Sequence, residues 1–118
     1  SDPMWQRMID HTDQLVVATT TRDDHAEAGA LLLEALAERD AKSANLAANA
    51  VVVITQADPK ATPTDIKRVS QGYQTMAPAV NTIPFDPAMV DGLLRYGSLR
   101  PPTQRAWLNA SAAVAKRL

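Results

Sequence analysis

The sequence predicts an α/β protein, with a three-layer, mostly parallel sheet carrying helices on both faces. Three observations carry this expectation. Residues 51–54, Val-Val-Val-Ile, form an unbroken β-branched run with no polar alternation, which is how a strand buried on both faces reads. Segments with helical spacing separate this strand from two other strand candidates, so helix and strand alternate as right-handed parallel crossovers require. Asp2-Pro3, Thr62-Pro63 and Asp86-Pro87 each set a capping side chain before a proline, the signature of a helix start.

The first helix is expected over 3–10, with Met4, Met8 and Trp5 on its apolar side. A strand over 14–19 comes next, centred on Leu15-Val16-Val17. Thr20 or Thr21 then caps a long helix whose first turn holds Asp23 and Asp24, where carboxylates complement the helix dipole. Ala28, Leu31, Leu32, Ala35 and Leu36 recur at helical spacing and are the expected buried stripe. Residues 42–49 are alanine-rich and read as a frayed helical turn or a loop before the strand at 51–54. A helix over 63–76 buries Ile66, Val69, Tyr73 and Met76; Gly72 weakens it slightly and Pro78 ends it. The third strand spans 80–84. Asp86-Pro87 opens a short helix carrying Met89, Val90, Leu93 and Leu94, which Gly97 stops. Pro101-Pro102 reads as a stiff extended link. Thr103 then caps a last helix, with Trp107, Ala110 or Ser111, Val114 and Leu118 on one stripe.

At 118 residues the chain is one small domain or a piece of a larger one. Three strands are few for an independent doubly wound sheet, so a piece is expected. Only 4% of residues are aromatic, so Ala, Val, Leu and Ile must build the core. A formal net charge of −1 gives no field that would draw the chain to nucleic acid or to an anionic membrane. The lack of cysteine excludes disulfides, thiolate metal sites and cysteine catalysis. The longest apolar run, residues 50–54, is far too short to span a bilayer. No signal peptide is visible, Ser1-Asp2-Pro3 reads as a cleavage boundary, and a cytoplasmic location is expected.

Two stretches can carry recognition chemistry, because open α/β sheets bind ligands beyond the carboxyl ends of their strands. The first is Thr55-Gln56-Ala57-Asp58-Pro59. An Asp that accepts and a Gln that both donates and accepts suit the edge of a nucleotide base. The same residues also make an ordinary strand-ending turn, with Asp58-Pro59 as the bend. The second is Asn81-Thr82-Ile83-Pro84-Phe85-Asp86, where main-chain groups and the Phe85 ring suit a flat heterocycle. It too doubles as a strand-to-helix turn, with Asp86 as cap. His11 and His25 sit in separate polar contexts and are expected to face solvent. Arg95, Arg100 and Arg105 read as solvated surface, and no serine has a nucleophile-elbow setting. With 4 glycines and neither GxxxxGK[ST] nor GxGxxG, the chain has no loop for a triphosphate.

Four segments, in order, resemble the C-terminal half of the MinD/ParA family of P-loop ATPases, the deviant Walker type. Asp13-Gln14-Leu15-Val16-Val17-Ala18-Thr19-Thr20 is similar to the strand after switch II. Ile54-Thr55-Gln56-Ala57-Asp58-Pro59 is similar to the base-recognition strand and loop. Val80-Asn81-Thr82-Ile83-Pro84-Phe85-Asp86 looks like the segment whose main chain lies against adenine, and Leu93-Leu94-Arg95-Tyr96-Gly97 fits the region after it. The resemblance implies a partial P-loop NTPase, Rossmann-like fold, with residues 1–118 as the C-terminal half of the ATPase domain. It implies a base-binding set of Thr55, Gln56, Asp58, Pro84, Phe85 and Asp86. In that set Asp58 takes the place of the base-contacting Asn or Asp, Gln56 replaces an arginine, and Phe85 stands where an acidic residue is common.

The phosphate loop with its signature lysine would then lie before Ser1. The resemblance also implies ATP and Mg as ligands of the intact parent, none held tightly by this half, and no hydrolysis by this half alone. It implies partitioning of plasmid or chromosome or positioning of protein cargo, a homodimer, and a partitioning adaptor protein as partner. Nonspecific DNA would be a partner of the parent only, and no membrane of this part. Half a sheet also leaves an edge to pair, so dimerisation is expected on that ground too. The alternative is a small stand-alone α/β regulatory or protein-interaction domain without nucleotide binding.

Overall fold

The computed structural model describes residues 4–89, 97 and 99–116, with Trp5 described by its backbone alone. The elements are α1 (Met4–Asp10), β1 (Val16–Thr20), α2 (Asp23–Arg39), α3 (Ala41–Ala48), β2 (Val51–Thr55), α4 (Pro63–Gln74), β3 (Ala79–Ile83), a 3₁₀ turn (Pro87–Met89) and α5 (Pro101–Lys116). The strands form one sheet in the order β1-β2-β3. Both pairings are parallel, with Val16 beside Val51 and Val51 beside Ala79. The α/β class and the parallel sheet with helices read from the sequence are therefore present, in an arrangement compatible with a Rossmann-like fold.

Topology dictates how the layers fill. Two right-handed crossovers that step in the same direction put their helices on the same face of the sheet. Accordingly α2, α3 and α4 share one core, in which Leu33, Leu36, Ala47, Val69 and Tyr73 pack on Val17, Val52 and Ile54. The other face is covered from beyond β3. There Ala110 of α5, with Trp107 and Val114, closes over Val51, Val53 and Ile83. The cover stops short of β1: Val16 is 44% exposed, whereas its neighbour Val51 is fully buried. The central strand β2 is buried from Val51 through Ile54, as its unalternated composition requires.

Several local expectations are corrected. Of the two readings of residues 42–49, a frayed helical turn or a loop, the helical one holds and is fuller than a frayed turn, with Ala41–Ala48 forming α3. Asp40 ends α2 in an extended conformation and caps α3, its Oδ1 accepting from Ser43 N at 2.7 Å. Alanine is the best helix former, and Leu46 and Ala47 gain a buried side from the new direction. The buried face of α2 is also rotated from the expected one. Leu31 and Leu32 are exposed, and Leu33 and Leu36 are buried, with Ala26 and Ala30 against the core. The helix docks by its small residues, because Gly29 lets it approach Val17 and the Tyr73 hydroxyl closely.

In α1 it is Ile9 that packs inward, while Met4 and Met8 are exposed. Arg39 ties this helix to the α2–α3 junction, reaching Asp10 Oδ1 at 3.3 Å and donating to Ser43 Oγ at 2.9 Å. Helix α2 begins at Asp23 with Arg22 as its N-cap, so neither Thr20 nor Thr21 is the capping residue. Pro101 and Pro102 are not an extended link but the first residues of α5, a position that tolerates proline because the first-turn N–H groups have no helical acceptor. Thr103 lies inside that helix and is buried. The α4 start matches, with Thr62 and Asp65 forming a reciprocal capping box; Asp86-Pro87 opens a 3₁₀ turn over Pro87–Met89, and Asp2-Pro3 lies outside the described residues. Val90, Leu93, Leu94, Arg95, Tyr96 and Leu118 lie outside the described residues. No helix among the described residues is long and apolar enough to cross a membrane.

Candidate functional site at the carboxyl ends of the strands

The parallel register places Thr20, Thr55 and Ile83 side by side at one rim of the sheet. Gln56 N donates to Ile83 O at 2.9 Å, so the ladder runs one residue past β2 and the loops after β2 and β3 leave together. The two stretches singled out from the sequence are therefore neighbours.

The loop after β2 is tightly braced. Lys60 N donates to Asp58 Oδ1 at 2.8 Å, Ala61 N donates to Asp58 O at 3.0 Å, and Gln56 Nε2 donates to Ala61 O at 3.2 Å. Asp58 is thus the bend residue that the ordinary turn requires. Its carboxylate is exposed, and only Oδ1 is used by the turn. Gln56 is half-buried and spends its amide N–H on the loop itself.

The exit of β3 is built differently. Pro84 and Phe85 are half-buried, but Asp86 is only 3% exposed. Its Oδ1 accepts from Ala88 N at 3.0 Å and its Oδ2 from Arg100 N at 2.7 Å. These bonds pin the end of β3 to the start of α5. The Arg100 N–H, with smaller help from Ala88 N–H, holds the Asp86 carboxyl below its ordinary value of 3.8. Asp86 therefore faces the interior of the fold, and Thr55, half-buried at the strand end, forms the floor between the loops.

This depressed pKa sets a pH dependence. The ionised carboxylate stabilises the fold fully above pH 3.8, and its contribution is lost as pH falls through the lower folded value. Asp86→Asn keeps one acceptor but loses the charge. The gap in melting temperature between wild type and this variant is expected to be largest near neutral pH and to close below pH 3.8. Asp24, Asp40 and Asp65, held low by the Arg22 side chain, the Ser43 N–H and the Thr62 N–H respectively, titrate in the same direction in both proteins. A gap of constant size from pH 7 to pH 3 contradicts this role for Asp86.

Sequence reading missed the third loop of the rim. A cleft of about 420 Å³ lies between Thr20, Thr21, Arg22 and His25 on one side and Ala57, Asp58 and Pro59 on the other. Thr20 Oγ1 shares a hydrogen bond with His25 Nδ1 at 2.8 Å and accepts from Arg22 N at 3.2 Å. The Arg22 guanidinium is turned onto Asp24, at 2.8 Å and 3.1 Å. His25 is exposed, as expected, yet it lines this cleft. The signal that could have found it is topological: β1 is parallel to β2, so the loop after β1 must open on the same rim.

Of the six residues read from the sequence, Asp58 alone borders the cleft; Thr55, Pro84 and Phe85 lie along the same rim, and Gln56 and Asp86 brace its loops. Among the described residues no group of three or more His, Asp or Glu is placed to hold a metal ion. Fold and rim together define an α/β unit in which three loops leave one rim at the carboxyl ends of three parallel strands. Comparison with family models, curated proteins and solved structures finds no significant match.

Proposed function

We propose that this chain carries the base-reading part of the nucleotide site of a ParA/MinD-type P-loop ATPase that partitions plasmids or chromosomes or positions a protein cargo. The observation that supports this reading most is the parallel β2–β3 pairing, which sets Gln56-Ala57-Asp58 beside Ile83-Pro84-Phe85 on one rim. An adenine there donates its amino group to the open Asp58 carboxylate and lies against Pro84 and Phe85. Thr55 floors the site, and Gln56 and Asp86 hold the loops in shape. No Gly-rich phosphate loop is present in the sequence, so on this reading ATP, Mg, hydrolysis, the homodimer, the adaptor protein and any DNA contact belong to the intact ATPase.

The test is a titration of the ¹⁵N-labelled chain with adenosine, monitored by amide shifts. Shifts at residues 55–58 and 83–86 are expected, with an affinity no better than millimolar because phosphate contacts are missing. Guanosine is expected to shift them less, since its O6 meets the Asp58 carboxylate instead of an amino group. Amides on this rim that ignore saturating adenosine overturn the reading. They would instead favour a stand-alone α/β interaction domain, for which the bare β1 side of the sheet is the supporting feature.

A further inference from the structure

The helical layer formed by α2, α3 and α4 is hollowed on its outer side. Helices α2 and α4 are tied by the Tyr73 hydroxyl, which donates to Ala26 O at 2.5 Å. Beside that bond a hollow of about 230 Å³ is walled by Ala26 and Ala30 on one helix and by Gly72 and Met76 on the other. A second, of about 320 Å³, lies between Leu33 and Ala37 of α2 and Ala44 and Ala48 of α3. Met76 lines both, so the two form one groove. Along α2 it runs from residue 23 to residue 37, about 21 Å at the helical rise per residue, which is the length of a four-turn helix. We infer that this groove receives a basic amphipathic α-helix of a partner protein, its apolar side inward and its cations against α2. The inference goes beyond the nucleotide reading and stands on other residues.

Gly72 points to an occupant. Glycine inside a helix weakens it relative to alanine, and a fold keeps one there when the backbone conformation or a close neighbour requires it. Neither holds for Gly72: it lies within α4, and a methyl group added to it meets nothing within 4 Å. What a side chain at this position would obstruct is the groove. Ala26 and Ala30 give the same clearance opposite, and helix axes approach more closely when the side chains between them are small.

Charge sets the chemistry of the partner. Asp23 and Glu34 line the groove, and Glu27 and Glu38 stand one turn beyond them, so four exposed carboxylates follow one edge of α2 at helical spacing. Arg68, which also lines it, is held by Asp23 at 3.2 Å and by Asp65 at 3.5 Å. Glu27, Glu34 and Glu38 make no ion pair among the described residues. A helix with Lys or Arg beside its apolar stripe meets these carboxylates as the stripe enters the groove. Within this chain α1 exposes Met4 and Met8 around Arg7, but its 7 residues reach along only about half of the groove.

The test titrates the ¹⁵N-labelled full chain with three four-turn peptides. The first is an alanine-based helix with one leucine stripe flanked by lysines. The second carries glutamate for each lysine, and the third has the composition of the first with its leucines scattered around the helix. The lysine helix is expected to shift the amides of Ala26, Ala30, Ala44 and Gly72, and to bind on the order of tenfold more tightly than either control at low salt. Gly72→Leu fills the groove from an exposed helical position, and should abolish these shifts while the melting temperature stays at or above that of wild type. Glu27→Lys combined with Glu34→Lys should reverse the preference, so that the glutamate helix binds better, a swap that damage to the fold does not produce. Equal binding by the scattered peptide, or lysine-helix binding untouched by Gly72→Leu, overturns the proposal because charge alone then accounts for it. Decanoate that shifts these amides when no peptide does assigns the groove to an acyl chain and overturns it as well. Concentration-dependent shifts of the groove amides together with Met4 and Met8, in the chain alone, overturn it in favour of a second copy.

Discussion

Replacing Ile54 by alanine is expected to lower the free energy of unfolding by about 2–5 kcal/mol, the usual range for truncating a buried aliphatic side chain. Ile54 is fully buried in the central strand, with α2, α3 and α4 packed over its side of the sheet. A small domain has about 5–15 kcal/mol in total, so this one truncation removes a large share of it. Urea denaturation monitored by circular dichroism measures the effect. Val16→Ala on β1 is the matched control: Val16 is 44% exposed, and its truncation is expected to change stability by less than about 0.5 kcal/mol. Equal losses from the two variants contradict the packing described for the sheet.

Gly29→Ala is expected to destabilise the protein by about 1–3 kcal/mol, the range for overpacking a close contact. The direction is the informative part. In an ordinary helix interior this change stabilises by up to about 1 kcal/mol. Here the added methyl overlaps the Tyr73 hydroxyl and stands 3.1 Å from Val17 Cγ1. Tyr73 cannot swing away freely, because it is buried and its hydroxyl donates to Ala26 O at 2.5 Å. Tyr73→Phe in the same chain removes the overlapping oxygen and should recover part of the loss, so the pair is expected to be non-additive. Gly72→Ala on α4, where a methyl meets nothing within 4 Å, is expected to be neutral or stabilising. A Gly29→Ala protein more stable than wild type contradicts the α2–α4 contact.

The parts of the fold that were legible in the sequence are those where one physical cause acts alone. An unalternated β-branched run has one good solution, a strand covered on both faces, and β2 is that strand. Thr62-Pro63 with Asp65 is a self-contained start signal, and α4 begins there with its Val69 and Tyr73 stripe inward. Where composition left several solutions, tertiary packing chose. Helix α2 is rich in alanine and leucine on most sides, so spacing alone allows more than one buried stripe. Gly29 decides between them, because its missing side chain admits Tyr73 from a helix more than forty residues later in the chain. The α2–α3 break was legible in principle, since Asp40 and Ser43 stand at cap spacing, but an alanine-rich stretch carries little periodicity to announce a second helix.

The site divides in the same way. That Asp58 and Phe85 occupy one rim is a consequence of parallel strands, and parallel strands are a consequence of alternating helix and strand. The roles of individual side chains depend on hydrogen bonds that no spacing encodes. Gln56 is drawn back to Ala61 O, and Asp86 is drawn inward by the N–H of Arg100, fourteen residues away. His25 has no partner at metal-ligand spacing, and only its place just after β1 points to the cleft.

The short reach of α5 across the sheet has a dynamic consequence. Val51 N donates to Leu15 O, and in a parallel ladder the backbone groups of successive residues point alternately to either side. Val16 and Ala18 therefore direct their N–H groups away from β2, toward the open edge, and they are also the residues that α5 leaves bare. Protection against solvent exchange should then fall steeply across a single strand spacing, from the buried amides of β2 to the outward amides of β1. The sheet would open by peeling β1 from the rest, and the cleft wall carried by Thr20 and Thr21 would move with it, so the shape of that cleft and persistence of the β1 edge are coupled in one local equilibrium.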